Sequence, residues 1–325
     1  MHIPDGYLSP KTCIAFFAGM APFWYLASSR AGGALRARQL PLLALAGSFT
    51  FVIMMFNFPI PGGSSGHIIG SATVAMLLGP WAAVAVVSLT VALQSFLFGD
   101  GGILALGVNA FNMAVIMSFA GYYSYRLFSF GNPGKGRRFF ASAIGGYVSV
   151  TIAALAVALE LGIQPLIAHD PAGLPLYAPY PLSVTMPAML LPHILFIGPI
   201  EAIGTGLMVS YIAGREQGLL YKPAGGGISP LWLIVAALII LTPIGLLTTG
   251  SPWGEWGKEE FVSLIGFVPQ GMDRLQGLWK GLLPGYSLPG LGNEAWGVFV
   301  YIVSAASGSA LIVGIIYFWA RLWRR

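Results

Sequence analysis

Long apolar segments with few charges are the feature that most limits how this chain can fold. Of its 325 residues, 56% are hydrophobic and only 8% are charged, whereas a typical soluble domain has about 25% charged residues. The apolar segments fall at residues 12–29, 40–57, 68–98, 103–129, 139–163, 187–213, 230–249 and 297–320. Because a helix needs about 20 apolar residues to cross a bilayer, the sequence predicts an all-α integral membrane protein.

The segment 68–98 is too long for one crossing, and it contains the helix breaker Gly79-Pro80. Most of the 16 Lys and Arg residues lie in four clusters between apolar segments, at 30–38, 126–138, 215–222 and 321–325. The positive-inside rule places all four clusters in the cytoplasm. This is satisfied only if 68–98 forms two helices. The chain then has about nine transmembrane helices, with its N-terminus outside and its C-terminus in the cytoplasm.

Composition also excludes several functions. The net charge of +5 comes from the clusters that set the orientation, so no nucleic-acid partner is expected. The single Cys13 excludes a Cys-rich metal site, and any metal would need nitrogen or oxygen ligands, which suit nickel, cobalt, copper or zinc. The sequence has neither a phosphate-binding loop nor a His-Glu-x-x-His motif. It therefore cannot drive transport with ATP by itself, and a zinc protease is disfavoured.

The opening Met1-His2-Ile3-Pro4-Asp5-Gly6-Tyr7 contains a potential chelate. The Met1 amine, the His2 backbone nitrogen and the His2 imidazole are joined through a few bonds, so one ion can bind all three in fused rings. An α-amine gives up its proton more readily than lysine does. No secretory signal is visible, which leaves Met1 as the expected mature terminus. The alternative is that the chain begins with Met-His by chance.

His67 follows the outer loop Pro61-Gly62-Gly63-Ser64-Ser65-Gly66 at the predicted start of a helix. A histidine in this position is usually a surface or capping residue. The predicted topology, however, puts it on the same side of the membrane as Met1 and His2. Together they offer four nitrogens, and a tetragonal nitrogen set suits Ni(II) or Cu(II), and also Co(II).

Several other polar residues are candidates to hydrogen-bond such ligands and fix their orientation without contacting the metal. They are Asn57, Ser65, Asn109, Asn112, His193 and Glu201. His193 and Glu201 lie at membrane depth, where ionisable groups are costly and often functional. They are about 12 Å apart along a helix and so cannot both contact one ion. Structural hydrogen bonding within the bundle is the alternative role for all of these residues. His169 and Asp170 are expected to be solvated or to attract cations.

A boundary is expected where Gly218, Lys222-Pro223 and Gly225-Gly226-Gly227 interrupt the apolar pattern. It divides the chain into a metal-binding membrane domain at 1–222 and a companion module at 223–325. The companion consists of two helices joined by an extracytoplasmic loop.

The opening heptapeptide, the loop that ends at His67, and Phe98-Gly99-Asp100-Gly101-Gly102 followed by Asn109 closely resemble the CbiM/NikM family. Its members are the substrate-binding (S) components of energy-coupling factor transporters for nickel or cobalt. The resemblance covers about residues 1–220 and implies a seven-helix bundle into which the N-terminus inserts. It also implies that the Met1 amine, the His2 amide and imidazole, and His67 hold the metal in a nearly planar nitrogen set. The two-helix hairpin at the C-terminus resembles the family's N-type companion subunit more loosely.

The resemblance implies import of Ni²⁺ or Co²⁺, with no organic cofactor, across a prokaryotic cytoplasmic membrane. The implied partners are a transmembrane coupling (T) component and two cytoplasmic ATP-binding subunits. One alternative is a proton-coupled metal permease that uses His193 or Glu201 as carrier. The other is an intramembrane metalloenzyme, which would need an open coordination position that a filled nitrogen plane lacks.

Overall fold

The computed structural model describes residues 1–34, 40–131, 134–213, 230–288 and 294–322. Helices dominate these ranges. The α-helices are α1 (Pro10–Ala34), α2 (Leu40–Met54), α3 (Ser71–Leu78), α4 (Pro80–Leu93), α5 (Leu106–Ala110), α6 (Met117–Phe128), α7 (Lys135–Gly162), α8 (Gln164–Ile167), α9 (Leu182–Pro192), α10 (Gly198–Ala213), α11 (Pro230–Leu241), α12 (Lys258–Ile265), α13 (Gln270–Leu275) and α14 (Glu294–Leu322). Wider π-helical turns at Gln94–Phe98, Phe111–Ile116 and His193–Ile197 extend or join some of these helices.

Six of the described helical segments are long and apolar enough to cross a membrane, which makes the chain a multi-pass, all-α membrane protein. They are Pro10–Arg30, Pro80–Phe98, Lys135–Ile167, Leu182–Ile212, Pro230–Leu247 and Trp296–Leu322. The predicted spans at 40–57 and 68–78 are helical but shorter, with 15 residues in α2 and 8 in α3. The predicted span at 103–129 is built from α5, a π-helical turn and α6.

The stretch 68–98 is divided as the sequence predicts. Helix α3 ends at Leu78, and α4 begins at Pro80, the first position of a helix, where proline is well tolerated. Between them, Gly79 has φ 88° and ψ 154°, outside the helical region. The prediction of two helices here is confirmed.

A small β-hairpin stands where the sequence predicts a loop that leads directly into a helix. Strands β1 (Asn57–Ile60) and β2 (Ser64–His67) pair antiparallel, with Asn57 opposite His67. Gly62 and Gly63 both have positive φ, which allows the chain to reverse tightly between the strands. His67 is therefore the last residue of a strand, and the prediction that it begins a helix is wrong.

The C-terminal hairpin packs against the rest of the bundle through α14 and α2. Phe51 of α2 lies in a buried apolar cluster with Tyr301 and Ile312 of α14. At Gly308 the backbone of α14 approaches the Phe51 ring so closely that a side-chain carbon there would overlap it. The predicted module boundary at 222/223 lies outside the described residues.

Candidate metal centre

The first residues of the chain run into the protein and are held there by their own backbone. The Ile3 N–H donates to Oδ1 of Asn109 at 2.8 Å, and the Asn109 amide donates to the Ile3 carbonyl at 3.1 Å. The Gly102 N–H donates to that same carbonyl at 2.9 Å. Met1, His2 and Ile3 are all buried. Hydrogen bonds from the Ile3 N–H and to the Ile3 carbonyl thus fix the start of the chain.

Asp5 provides a second anchor for this segment. Its carboxylate accepts hydrogen bonds from the N–H groups of Ile103 at 3.1 Å and Leu104 at 2.8 Å, just before α5 begins. Burial raises the pKa of Asp5, and these backbone hydrogen bonds partly offset the rise. A side-chain carbon at Gly102 would overlap the Asp5 carboxylate, so the loop requires glycine there.

The Met1 amine and His67 meet at the inner end of the segment. The amine nitrogen lies 3.2 Å from Nε2 of His67, and both residues are buried. Nδ1 of His67 faces the Ile68 carbonyl at 3.2 Å. If Nδ1 carries the proton, Nε2 presents its lone pair towards the amine. The His67 and His2 rings stack, with centroids 5.1 Å apart and an interplanar angle of 24°.

The surroundings of both imidazoles favour the neutral form. Burial lowers the pKa of His67 well below its ordinary value, and the nearby N-terminal charge and His2 lower it further. Burial also lowers the pKa of His2, against the opposing effect of Asp100. Neutral imidazole is the form that binds metals.

Two carboxylates that the sequence did not link to this site contact the same groups. Oδ1 of Asp100 lies 3.1 Å from Nδ1 of His2, and Oε1 of Glu255 lies 3.5 Å from the Met1 amine. Asp100 belongs to the Phe98–Gly102 stretch that carries the family resemblance, so a signal for it existed. Glu255 comes from the loop of the C-terminal hairpin, more than 250 residues from the amine, and no local pattern indicates the contact.

Glu201 and Asn109 act on the main chain rather than on a histidine ring. The Glu201 carboxylate accepts hydrogen bonds from the N–H groups of Ile69 at 2.9 Å and Gly70 at 3.0 Å. It thereby fixes the chain two residues beyond His67. Asn109 holds Ile3, one residue beyond His2.

The other predicted supporting residues hydrogen-bond elsewhere in the bundle or lie in the hairpin that carries His67. His193 bonds the Met189 carbonyl through Nδ1 at 2.7 Å, and Asn112 donates to Glu160 at 2.6 Å. Both are therefore engaged in hydrogen bonding within the bundle. Asn57 faces His67 across the hairpin, and Ser65 is a buried residue of β2. His169, by contrast, lies in an exposed turn with Asp170.

Half of the donor set available here is main-chain nitrogen. In the part of the chain that the structure describes, no three His, Cys, Asp or Glu side chains are grouped so as to hold a metal ion. The amine, the His2 amide and two imidazoles remain as donors. Neighbouring ligands at right angles on a metal with bonds of about 2 Å are roughly 3 Å apart, and the separation of 3.2 Å between the amine and Nε2 of His67 fits this.

Beside the site, a cavity of about 280 Å³ lies between the N-terminal segment and the C-terminal hairpin's loop. Asp5, Gly101, Gln276 and Lys280 are among the residues that line it. Parts of both halves of the chain therefore line this cavity.

The fold and this arrangement define a membrane transport subunit rather than an enzyme, and the comparisons agree. Residues 2–219 match the family described as the cobalt uptake substrate-specific transmembrane region, CbiM, and the chain belongs to that family. Residues 230–325 match the PDGLE domain.

Relatives with the same two-part organisation extend over most of the chain. The chain is 43% identical over 334 residues to the fused nickel transport protein NikMN of Rhodobacter capsulatus, covering 96% of this chain and 95% of that protein. It is 42% identical over 301 residues to the probable fused nickel transport protein LarMN of Lactiplantibacillus plantarum, covering 90% of each. A crystal structure of a truncated transition metal transporter matches with a TM-score of 0.62 and 48% identity, covering 66% of this chain and 99% of that one.

Proposed function

We propose that this protein captures Ni²⁺ or Co²⁺ from outside the cell and imports it as the substrate-specific component of an ATP-driven energy-coupling factor transporter. The observation that carries the proposal is the buried meeting of the Met1 amine and Nε2 of His67 at 3.2 Å, beside the His2 ring. The relatives support the choice of metal, since they include named nickel transport proteins and cobalt transport proteins.

The proposed ligands are the Met1 amine, the His2 amide and imidazole, and His67. Such a set selects against harder ions because nitrogen donors suit Ni(II), Co(II) and Cu(II), whereas Mg²⁺ and Ca²⁺ prefer oxygen. The hydrogen bonds of Asn109, Asp5 and Glu201 fix the backbone next to these ligands. A site arranged in advance loses less free energy in ordering when the ion binds.

The transport cycle requires partners that this chain lacks. We assign residues 1–222 to the metal-binding module and 223–325 to the companion module, in a prokaryotic cytoplasmic membrane with the N-terminus outside and the C-terminus in the cytoplasm. A transmembrane coupling component and two cytoplasmic ATP-binding subunits would supply the energy, because the sequence has no phosphate-binding loop. A permease driven by protons is less well supported, since the Glu201 carboxylate that would carry the proton is already bonded by two backbone N–H groups.

The test compares metal binding by the protein with its native start and by a variant with two extra residues before Met1. Both are purified in detergent and titrated with Ni²⁺ and Co²⁺ by calorimetry. The extension leaves every side chain intact but converts the amine into an amide. Because the amine and the fused chelate rings are then lost, tight binding should disappear.

A variant with the same two residues added after Arg325 serves as the control and should bind like the native protein. If the N-terminally extended variant binds as tightly as the native protein, the proposed site is wrong. Attention would then turn to His169, His193 and Glu201.

A further inference from the structure

Glu255 of the C-terminal hairpin's loop reaches the donor atoms of the proposed site. Its Oε1 lies 3.5 Å from the Met1 amine nitrogen, and its side chain is only 19% exposed. The same carboxylate is close enough to the His2 backbone N–H for that group to lower its pKa against the larger effect of burial. The carboxylate thus lies beside the two main-chain nitrogens of the proposed ligand set.

The loop is held at this place by hydrogen bonds on both sides of Glu255. The Trp253 N–H donates to Oγ of Ser64, in β2, at 2.9 Å. The Tyr7 hydroxyl donates to the Trp256 carbonyl, also at 2.9 Å. One contact goes to the strand that carries His67 and the other to the segment that carries Met1 and His2. The Glu255 position is therefore fixed relative to both sources of nitrogen.

A metal ion bound to the amine and the amide nitrogen takes the place of their protons. The ion would then face the carboxylate whose Oε1 lies beside the amine. The 3.5 Å between Oε1 and the amine is close to the roughly 3 Å that separates adjacent ligands on one ion. A partly buried carboxylate is also costly unless a positive charge or a donor pairs with it.

We propose that Glu255 is a metal ligand, so that the C-terminal module adds an oxygen to the four nitrogens of the N-terminal module. The proposal rests on the proposed function and extends it, since it makes the site a shared product of both halves of the chain. A nitrogen plane with an added oxygen is a tetragonal set, which Ni(II) and Cu(II) accept.

The geometry of bound nickel tests this directly. The full-length protein with its native start is loaded with nickel chloride, and X-ray absorption is recorded at the nickel K edge. Planar four-coordinate Ni(II) shows a sharp pre-edge feature that a further ligand suppresses. The native protein should lack this feature, and Glu255→Gln and Glu255→Ala should show it. We expect Glu255→Gln to weaken nickel binding about tenfold.

Two further variants distinguish metal coordination by Glu255 from an effect of its charge and from a general effect of substitution in this region. Glu255→Asp keeps the charge but shortens the side chain by one methylene, and it should also show the planar feature. Glu259→Gln changes an exposed glutamate of the same loop and should match the native spectrum.

Identical spectra for the native protein and Glu255→Gln at equal nickel content would overturn the assignment of Glu255 while leaving the nitrogen site intact. A native protein that binds no nickel would overturn the proposed function as well. The added ligand would be established if all three Glu255 variants show the planar feature and neither the native protein nor Glu259→Gln shows it.

Discussion

Two segments approach the Met1 amine from different halves of the chain, and they are held in different ways. The hairpin that carries His67 is fixed by its own strand pairing and by the Glu201 carboxylate on Ile69 and Gly70. The loop that carries Glu255 is held by the hydrogen bonds of Trp253 and Trp256 and also by the packing of their aromatic rings. Trp253 and Trp256 contact each other and Tyr180, with ring centroids 5.7 to 6.2 Å apart.

The difference indicates a division of roles. Hydrogen bonds to the main chain fix position and direction, as a ligand in a rigid metal site requires. Apolar burial is non-directional and fixes position less closely than hydrogen bonds do. We therefore expect the His67 side to determine whether a metal binds, and the Glu255 side to modulate how it binds and how the site opens.

The largest effect is expected from His67→Ala. Removing one of four nitrogen ligands should weaken nickel binding by more than the roughly 100-fold that loss of a supporting residue costs. His169→Ala is the matched control, because His169 lies in an exposed turn, and it should bind nickel like the native protein. Calorimetry on both variants measures the difference, and equal affinities would contradict the proposed ligand role.

Glu201→Gln should weaken nickel binding by about 10-fold to 100-fold. The amide retains one acceptor for two backbone donors, so Ile69 or Gly70 loses its partner and the chain beyond His67 loosens. A permease mechanism predicts a different outcome, in which the binding affinity persists and the pH dependence of uptake disappears. Measuring both affinity and uptake in vesicles distinguishes the two.

Lowering the pH should destabilise the hairpin that carries His67 and strengthen the docking of the loop that carries Glu255. Because the pKa of His67 is lowered in the folded protein, the unfolded hairpin binds more protons below about pH 6.5. The folded hairpin therefore becomes less stable as the pH falls below this value. Burial raises the pKa of Glu255 from 4.5 to about 7. The docked loop thus binds more protons than a released one, and docking weakens as the pH rises through 7.

Hydrogen exchange of metal-free protein at pH 8 and pH 6, corrected for intrinsic rates, measures this. The loop at 251–257 should become more protected at pH 6, by up to about tenfold. Glu255→Gln should remove that change. Equal protection of the native loop at both pH values would show that the carboxylate does not control docking.

The smallest effect is expected from Tyr7→Phe. It removes the hydrogen bond to the Trp256 carbonyl and keeps the ring packed 5.6 Å from Phe261. The loss of one such bond costs about 1 kcal/mol, or roughly fivefold in loop opening. Limited proteolysis of the loop should accelerate by that factor, with nickel affinity little changed. A large loss of affinity would show that the loop side also determines whether metal binds.

The sequence predicts much of this molecule because its strongest signals are local. Apolar runs indicate the membrane helices, and Gly79-Pro80 indicates the break between α3 and α4. Met1, His2 and His67 were expected to meet because of topology and family resemblance, and they do meet. The hairpin around Gly62 and Gly63 was missed, because two four-residue strands carry too little periodicity to be seen.

The contacts that complete the site depend on distant packing. Asn109 holds the Ile3 backbone, one residue beyond His2, and no local pattern indicates that contact. Glu255 reaches the amine only because the loop of the last hairpin folds over the first residues of the chain. Neither the loop's length nor its composition encodes that docking position.

The close approach of Gly308 to Phe51 has a mechanical consequence. A ring seated against a bare backbone resists sliding of α14 along α2, since the same face of α14 one turn away carries the side chains of Ala305 and Ile312. This contact therefore holds α14 at a fixed position along α2 within the membrane. Movement of one half within the membrane must then carry the other half with it.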